Sequence, residues 1–118
     1  MNDLNFTQMQ EMQRALQEKY IDKWGGLSPK IGRDQLLWMI IEAGEMADII
    51  KKKGHDAIME NSHVRAHFVE ETADVFMYLF DMMEAFGVSA EEFSEAYTAK
   101  FERNMGRSWE ENKTKYED

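Results

Sequence analysis

Glu42, Glu45, Glu71 and Asp74 lie in the most apolar stretches of the chain, LLWMIIEAGEMADII and HFVEETADVFMYLF, as two pairs with a spacing of three residues. Residues three apart share one face of a helix, so each pair aims its acids the same way. An unpaired carboxylate is costly to bury and either neutralises or finds a cation. Two such pairs on facing helices would form an all-oxygen cage for a hard divalent ion, most simply magnesium, with manganese as the alternative.

The plain reading of Glu42 and Glu45 is two solvated glutamates paired with lysines along a helix. Neither has a lysine four residues on, so the usual partner is missing. Asp48 continues the row and reads equally as a further ligand or as a solvent-facing acid. For Glu71 and Asp74 the plain reading is weaker, since Asp is a poor helix-interior residue and stands here directly before Val75 and Phe76. His67, Glu71, Asp74, Tyr78 and Asp81 follow helical spacing as one polar stripe, and Glu70 points away from it. Glu60 and His63 make a single Glu-x-x-His, whereas a di-iron bundle needs that pattern on two helices.

Lys100, Asn104 and Arg107 recur at spacings of four and three, with Arg103 beside them. Alone, they read as a basic helix end complementing the dipole. Next to an acidic metal cage they become the cationic half of a polyphosphate site. Trp38, one turn before Glu42, is the better of two candidates, with Trp24, to stack on a base, although aromatic residues at helical spacing are more often core.

What must position these groups is a chain of 118 residues, long enough for one core, with 43% hydrophobic residues, ten methionines, one proline and no cysteine. A disulfide, a thiolate metal site and a cysteine nucleophile are excluded. The net charge of −9 argues against a nucleic-acid polymer as partner, because that affinity comes mainly from Lys and Arg. Apolar runs are interrupted by acids before reaching the roughly 20 residues of a membrane span. Residues 1–6 lack a basic-then-apolar run, so a secretory signal is not expected and a cytoplasmic location is.

Four helices are predicted. The first starts at Thr7, with Gln10 completing a capping box, carries Met9, Met12, Leu16 and Tyr20 as its apolar stripe, and ends near Trp24. Gly25, Gly26, Pro29 and Gly32 read as a loop. Asp34 reads as N-cap of a second helix reaching Lys53, with Gly54 as its stop and Lys51 to Lys53 as a solvated end. His55 to Ser62 is loop or a loose extra turn. The third helix runs from about Val64 to Phe86, closes at Gly87, and is apolar on so many sides that burial on nearly all of them is expected. The fourth begins at Ser89, boxed by Glu92 with Val88 stapling Phe93, and reaches about Met105. A charged tail follows from Ser108, in which Trp109 is a docking candidate. The expected product is one all-α domain over 1–118, helical core about 7–107, bundle-like. Its uncovered apolar faces call for a homodimer or homotetramer.

Glu42-Ala43-Gly44-Glu45, twenty-five intervening residues, Glu71-Thr72-Ala73-Asp74, then Lys100, Asn104 and Arg107 resemble the all-α nucleoside triphosphate pyrophosphohydrolases. That superfamily includes the MazG-like proteins, the dimeric dUTPases and dCTPases, and the phosphoribosyl-ATP pyrophosphatases. The resemblance spans roughly residues 33–107. It implies a MazG-like all-α fold and magnesium-dependent cleavage between the α and β phosphates of a nucleotide, giving a nucleoside monophosphate and pyrophosphate. Glu42, Glu45, Glu71 and Asp74 would then hold the metal and carry catalysis, while Lys100, Asn104 and Arg107 contact phosphates. The residues that select the base in the dUTPase and dCTPase members have no match here. The competing expectation is a non-catalytic helical homodimer that serves as an interaction module.

Overall fold

The structure is a computed structural model and describes residues 2–107; the tail from Ser108, with Trp109, lies outside the described residues. Six helices and no strand occur among them: α1 (Phe6–Lys19), α2 (Ile21–Trp24), α3 (Pro29–Lys53), α4 (His55–Glu60), α5 (Ser62–Ala85) and α6 (Ala90–Gly106). The fold is all-α as expected, with the four long helices joined by two short ones. The chain divides into two units, the first ending at Val88 and the second beginning at Ser89.

In the first unit α5 packs along α3, and α1 and α4 pack on α5. The start of α1 differs from the expected Thr7. Asn5 is the N-cap, its side chain accepting from the Gln8 backbone N–H while the Gln8 side chain accepts from the Asn5 N–H, both at 2.8 Å. Asn outranks Thr as a cap, which moves the start two residues upstream. The helix also stops sooner than Trp24: Tyr20 leaves helical geometry, and α2 forms a separate turn closed by left-handed Gly25 at φ 78°.

The predicted loop through Gly32 and the Asp34 cap are corrected as well. Ser28 is the N-cap of α3, Pro29 occupies the first turn, and Asp34 lies inside the helix in an exposed pair with Arg33. Proline at the first helical position gives up only an N–H that has no intrahelical acceptor, so it starts a helix here. Gly32 is helical and buried because the Phe86 ring lies where a side chain would be: an added Cβ would sit 2.4 Å from a ring carbon. Lys51 to Lys53 and Gly54 end α3 as read. The ambiguous segment after them is α4.

The inward side of α1 is the largest departure. Gln10, Gln13 and Gln17 are its buried residues, whereas Met12, on the expected apolar stripe, is exposed. The amides find acceptors on the first unit: Gln10 donates to the Val88 carbonyl, Gln13 to the Met77 carbonyl and Asp81, and Gln17 to the other Asp81 oxygen. Phe6 edge-on to Phe80 and the two-pronged Arg14–Glu84 pair add to this docking. Burial of α5 on nearly all sides is not met within one chain, since Val69, Phe76 and Met77 stay exposed. No helix among the described residues is long and apolar enough to cross a membrane.

In the second unit, Ser89 caps α6 by accepting from the Glu92 N–H at 3.0 Å. Tyr97, Phe101 and Met105 are exposed on this helix.

Candidate active site

α3 carries Glu42 and Glu45, and α5 carries Glu71 and Asp74, so the packing of these two helices brings the acids together. Carboxylate oxygens of Glu42, Glu45 and Glu71 all lie within 4.8 Å of one another, a spacing at which three oxygens could hold one metal ion. Asp74 is not one of these three, although its charge acts on Glu42 and both line the same cavity.

The electrostatics of the cluster are those of acids held too close together. Glu42 is pushed up to about 7, first by its hydrogen bond with the Glu71 carboxyl, then by burial and by the charges of Glu45, Glu71 and Asp74. A carboxyl–carboxyl hydrogen bond requires a proton shared by the pair, which favours the protonated form of Glu42. Asp74 is raised by burial, then by Glu71 and Glu70. Glu71 Oε2 is buried with no hydrogen-bond partner, while Oε1 lies 3.4 Å from His67 Nε2 on the exposed side. An orphaned oxygen, an all-carboxylate donor set and mutual repulsion are each relieved by a dication, so these residues fit the divalent metal inferred from sequence.

Residues flanking the cluster fall out as follows. Asp48 is exposed, pairs with Lys52 at 2.9 Å and is not among the three acids that come together. Glu70 is exposed as expected, and Glu60 and His63, on different helices, are exposed too. Trp38 is 42% exposed, with its ring 6.1 Å from that of Tyr78. Tyr78 has its hydroxyl raised, first by burial. Asp81, last in the polar stripe, is buried and held by Gln13 and Gln17; burial raises its pKa and the two amides lower it.

Beside the acids a cavity of about 630 Å³ opens within the first unit, among α1, α2, α3 and α5. Glu42 and Asp74 form part of its wall, and Trp24, Trp38, Tyr78 and Gln35 form others. Gln35 was not anticipated. The spacing of Gln10, Gln13 and Gln17 could have revealed the α1 amide row, but a lone glutamine after Asp34 carries no sequence signal.

In the second unit Lys100 and Asn104 are exposed on α6, one turn apart. Arg107 is the C-cap, with φ −79° and ψ 138°, and its backbone N–H donates to the Asn104 carbonyl.

The family model for dATP/dGTP pyrophosphohydrolase matches residues 50–118, more than half of the chain. The chain belongs to this family. The dATP/dGTP pyrophosphohydrolases are MazG-like all-α proteins, so the resemblance seen in the residues holds, as does the assignment to hydrolases of phosphorus-containing anhydrides. The matched stretch contains Glu71, Asp74, Lys100, Asn104 and Arg107; Gln35, Trp38, Glu42 and Glu45 precede it. No curated protein and no solved structure gives a significant match.

Proposed function

We propose that the chain is a magnesium-dependent pyrophosphohydrolase of purine deoxynucleoside triphosphates, cleaving the α–β phosphoanhydride to give a nucleoside monophosphate and pyrophosphate. The observation that carries this reading is the cluster of Glu42, Glu45 and Glu71 beside a cavity of about 630 Å³, in a chain of the dATP/dGTP family. Manganese, with the same preference for oxygen ligands, is the alternative ion.

Glu42, Glu45 and Glu71 would hold the metal, with Asp74 beside them on the cavity wall. The ion supplies charge neutralisation for the leaving pyrophosphate and lowers the pKa of a water near it. Glu42 or Glu45 accepts the proton of the attacking water. Trp38 covers the nucleoside from one side of the cavity. Lys100, Asn104 and Arg107 are proposed as phosphate contacts on the strength of the family resemblance.

Exposed Leu36, Leu37, Ile40 and Ile41 on α3, with Phe76 and Met77 on α5, support a homodimer or homotetramer. A location in the cytoplasm and no nucleic-acid polymer as partner complete the reading.

The test is pyrophosphate release from dATP and dGTP with and without magnesium. Turnover that needs the ion, and disappears in Glu71→Gln while helicity is retained, supports the reading. A folded protein that releases no pyrophosphate from any nucleotide and shows no magnesium-dependent rise in Tm would overturn it and favour an interaction module.

A further inference from the structure

Four glutamines are buried in the first unit, and three of them have partners: Gln10, Gln13 and Gln17 donate to the Val88 carbonyl, the Met77 carbonyl and Asp81. Gln35 is different. It is only 6% exposed, it lines the cavity, and its Oε1 is buried with no hydrogen-bond partner. A buried amide oxygen left unpaired carries a desolvation cost that a native protein ordinarily avoids, so an unpaired one on a cavity wall marks where a ligand hydrogen bond belongs.

The place in the fold says which part of a ligand that is. Gln35 lies on α3 seven residues before Glu42, two turns along the same helix, so it looks into the cavity from the same face as that acid. Trp38, between them in sequence, lines the cavity too. A ligand with its phosphates at the acids and its ring beside Trp38 would bring the edge of its base to Gln35.

We propose that this cavity seats the purine ring and that the Gln35 amide reads the ring at N1 and the 6-substituent. The proposal rests on the pyrophosphohydrolase reading and adds the specificity-determining residue. Adenine offers an N–H donor at position 6 and an acceptor at N1; guanine offers the reverse, an oxygen at position 6 and an N–H at N1. A terminal amide has one acceptor and two donors in one plane. Turned over about its last torsion, it presents the opposite order, so one glutamine pairs with either purine. Asp or Glu there, as an acceptor only, would meet the guanine 6-oxygen or the adenine N1 with a like charge. Pyrimidines carry similar patterns at N3 and C4 but hold that edge one ring closer to the sugar, short of Gln35 when the phosphates are at the acids.

The experiment compares kcat/KM for dATP, dGTP and the deoxynucleoside triphosphate of unsubstituted purine, which has hydrogen at position 6. It also measures quenching of tryptophan fluorescence by dAMP, dGMP and the unsubstituted monophosphate without metal. Wild type should disfavour the unsubstituted purine by about 10- to 100-fold in both readouts, the worth of one buried hydrogen bond. Gln35→Leu should treat all three ligands alike, through weaker binding of dATP and dGTP with kcat little changed. Gln35→Met serves if the leucine variant does not fold, and the wild-type comparison needs no variant. Equal treatment of the three ligands by wild type, or unchanged discrimination in the variants, overturns the proposal while leaving the hydrolase reading intact. If no triphosphate is turned over but the monophosphates quench in a Gln35-dependent way, the hydrolase reading fails and the base site stands. Absence of both turnover and quenching removes both.

Discussion

Asp74 is an acid whose surroundings disfavour its charge, and Glu71 keeps a buried oxygen without a hydrogen-bond partner, as expected of ligands made without their ion. Glu71→Gln and Asp74→Asn should lower kcat by at least about 100-fold. Each should leave the metal-free protein as stable as wild type or more so, because a repulsive charge is gone. Circular dichroism melts alongside the pyrophosphate assay check both, and full activity in either variant would refute its assignment. Glu42 and Asp74 have pKa values raised above those of the unfolded chain, to about 7 for Glu42. The folded state therefore binds more protons than the unfolded one between the ordinary carboxylate range and about 7. Without metal, stability should fall as pH rises through that window, and Glu42→Gln should flatten the dependence. Added magnesium competes with the protons, so the Tm increase it gives should be larger at pH 8 than at pH 5.5.

Among the elements, α1 is the one whose docking is polar. Replacing Gln17 by Leu takes one N–H donor from a buried carboxylate and should destabilise the protein by about 1.5–3 kcal/mol at pH 8, measured by urea unfolding. The loss should shrink at acid pH, where Asp81 is neutral and the removed donor faced no charge. Asn5→Ala removes the capping box and should cost about 1 kcal/mol. These features also mark where the sequence was legible. The α3 stop at Gly54 and the Ser89 cap could be read because glycine and serine have conformational roles set within a few residues. The α1 inner face could not, since glutamine suits a helix equally in water or against a buried acid, and Asp81 is 64 residues from Gln17. Gly32 reads as a breaker because the ring of Phe86, which makes a glycine the fitting residue inside α3, is remote in sequence. The acid pairs were visible because charges in an apolar run contradict their surroundings; Gln35 contradicts nothing until its oxygen is seen to be unpaired.

At the scale of the whole molecule, no large side chain among the described residues is fully buried, while whole faces of α3 and α5 remain apolar and exposed. A chain that covers so little of itself should depend on a second copy. Tm should rise with protein concentration, and Ile40→Glu with Ile41→Glu should yield a smaller species by light scattering, with a lower Tm. A concentration-independent Tm for a particle of single-chain mass would reject self-association. The Asp81 clamp has a further consequence, for the order of events in folding. Its two amides reach across 64 and 68 residues, a longer loop than the packing of α3 on α5 closes, so the clamp is expected to form after those two helices have found each other. The clamp should then be absent from the folding transition state: Gln17→Leu should speed unfolding and leave the refolding rate nearly unchanged. The amides that orient α1 would in that case act as a late kinetic latch, setting how long the assembled bundle lasts rather than how fast it forms.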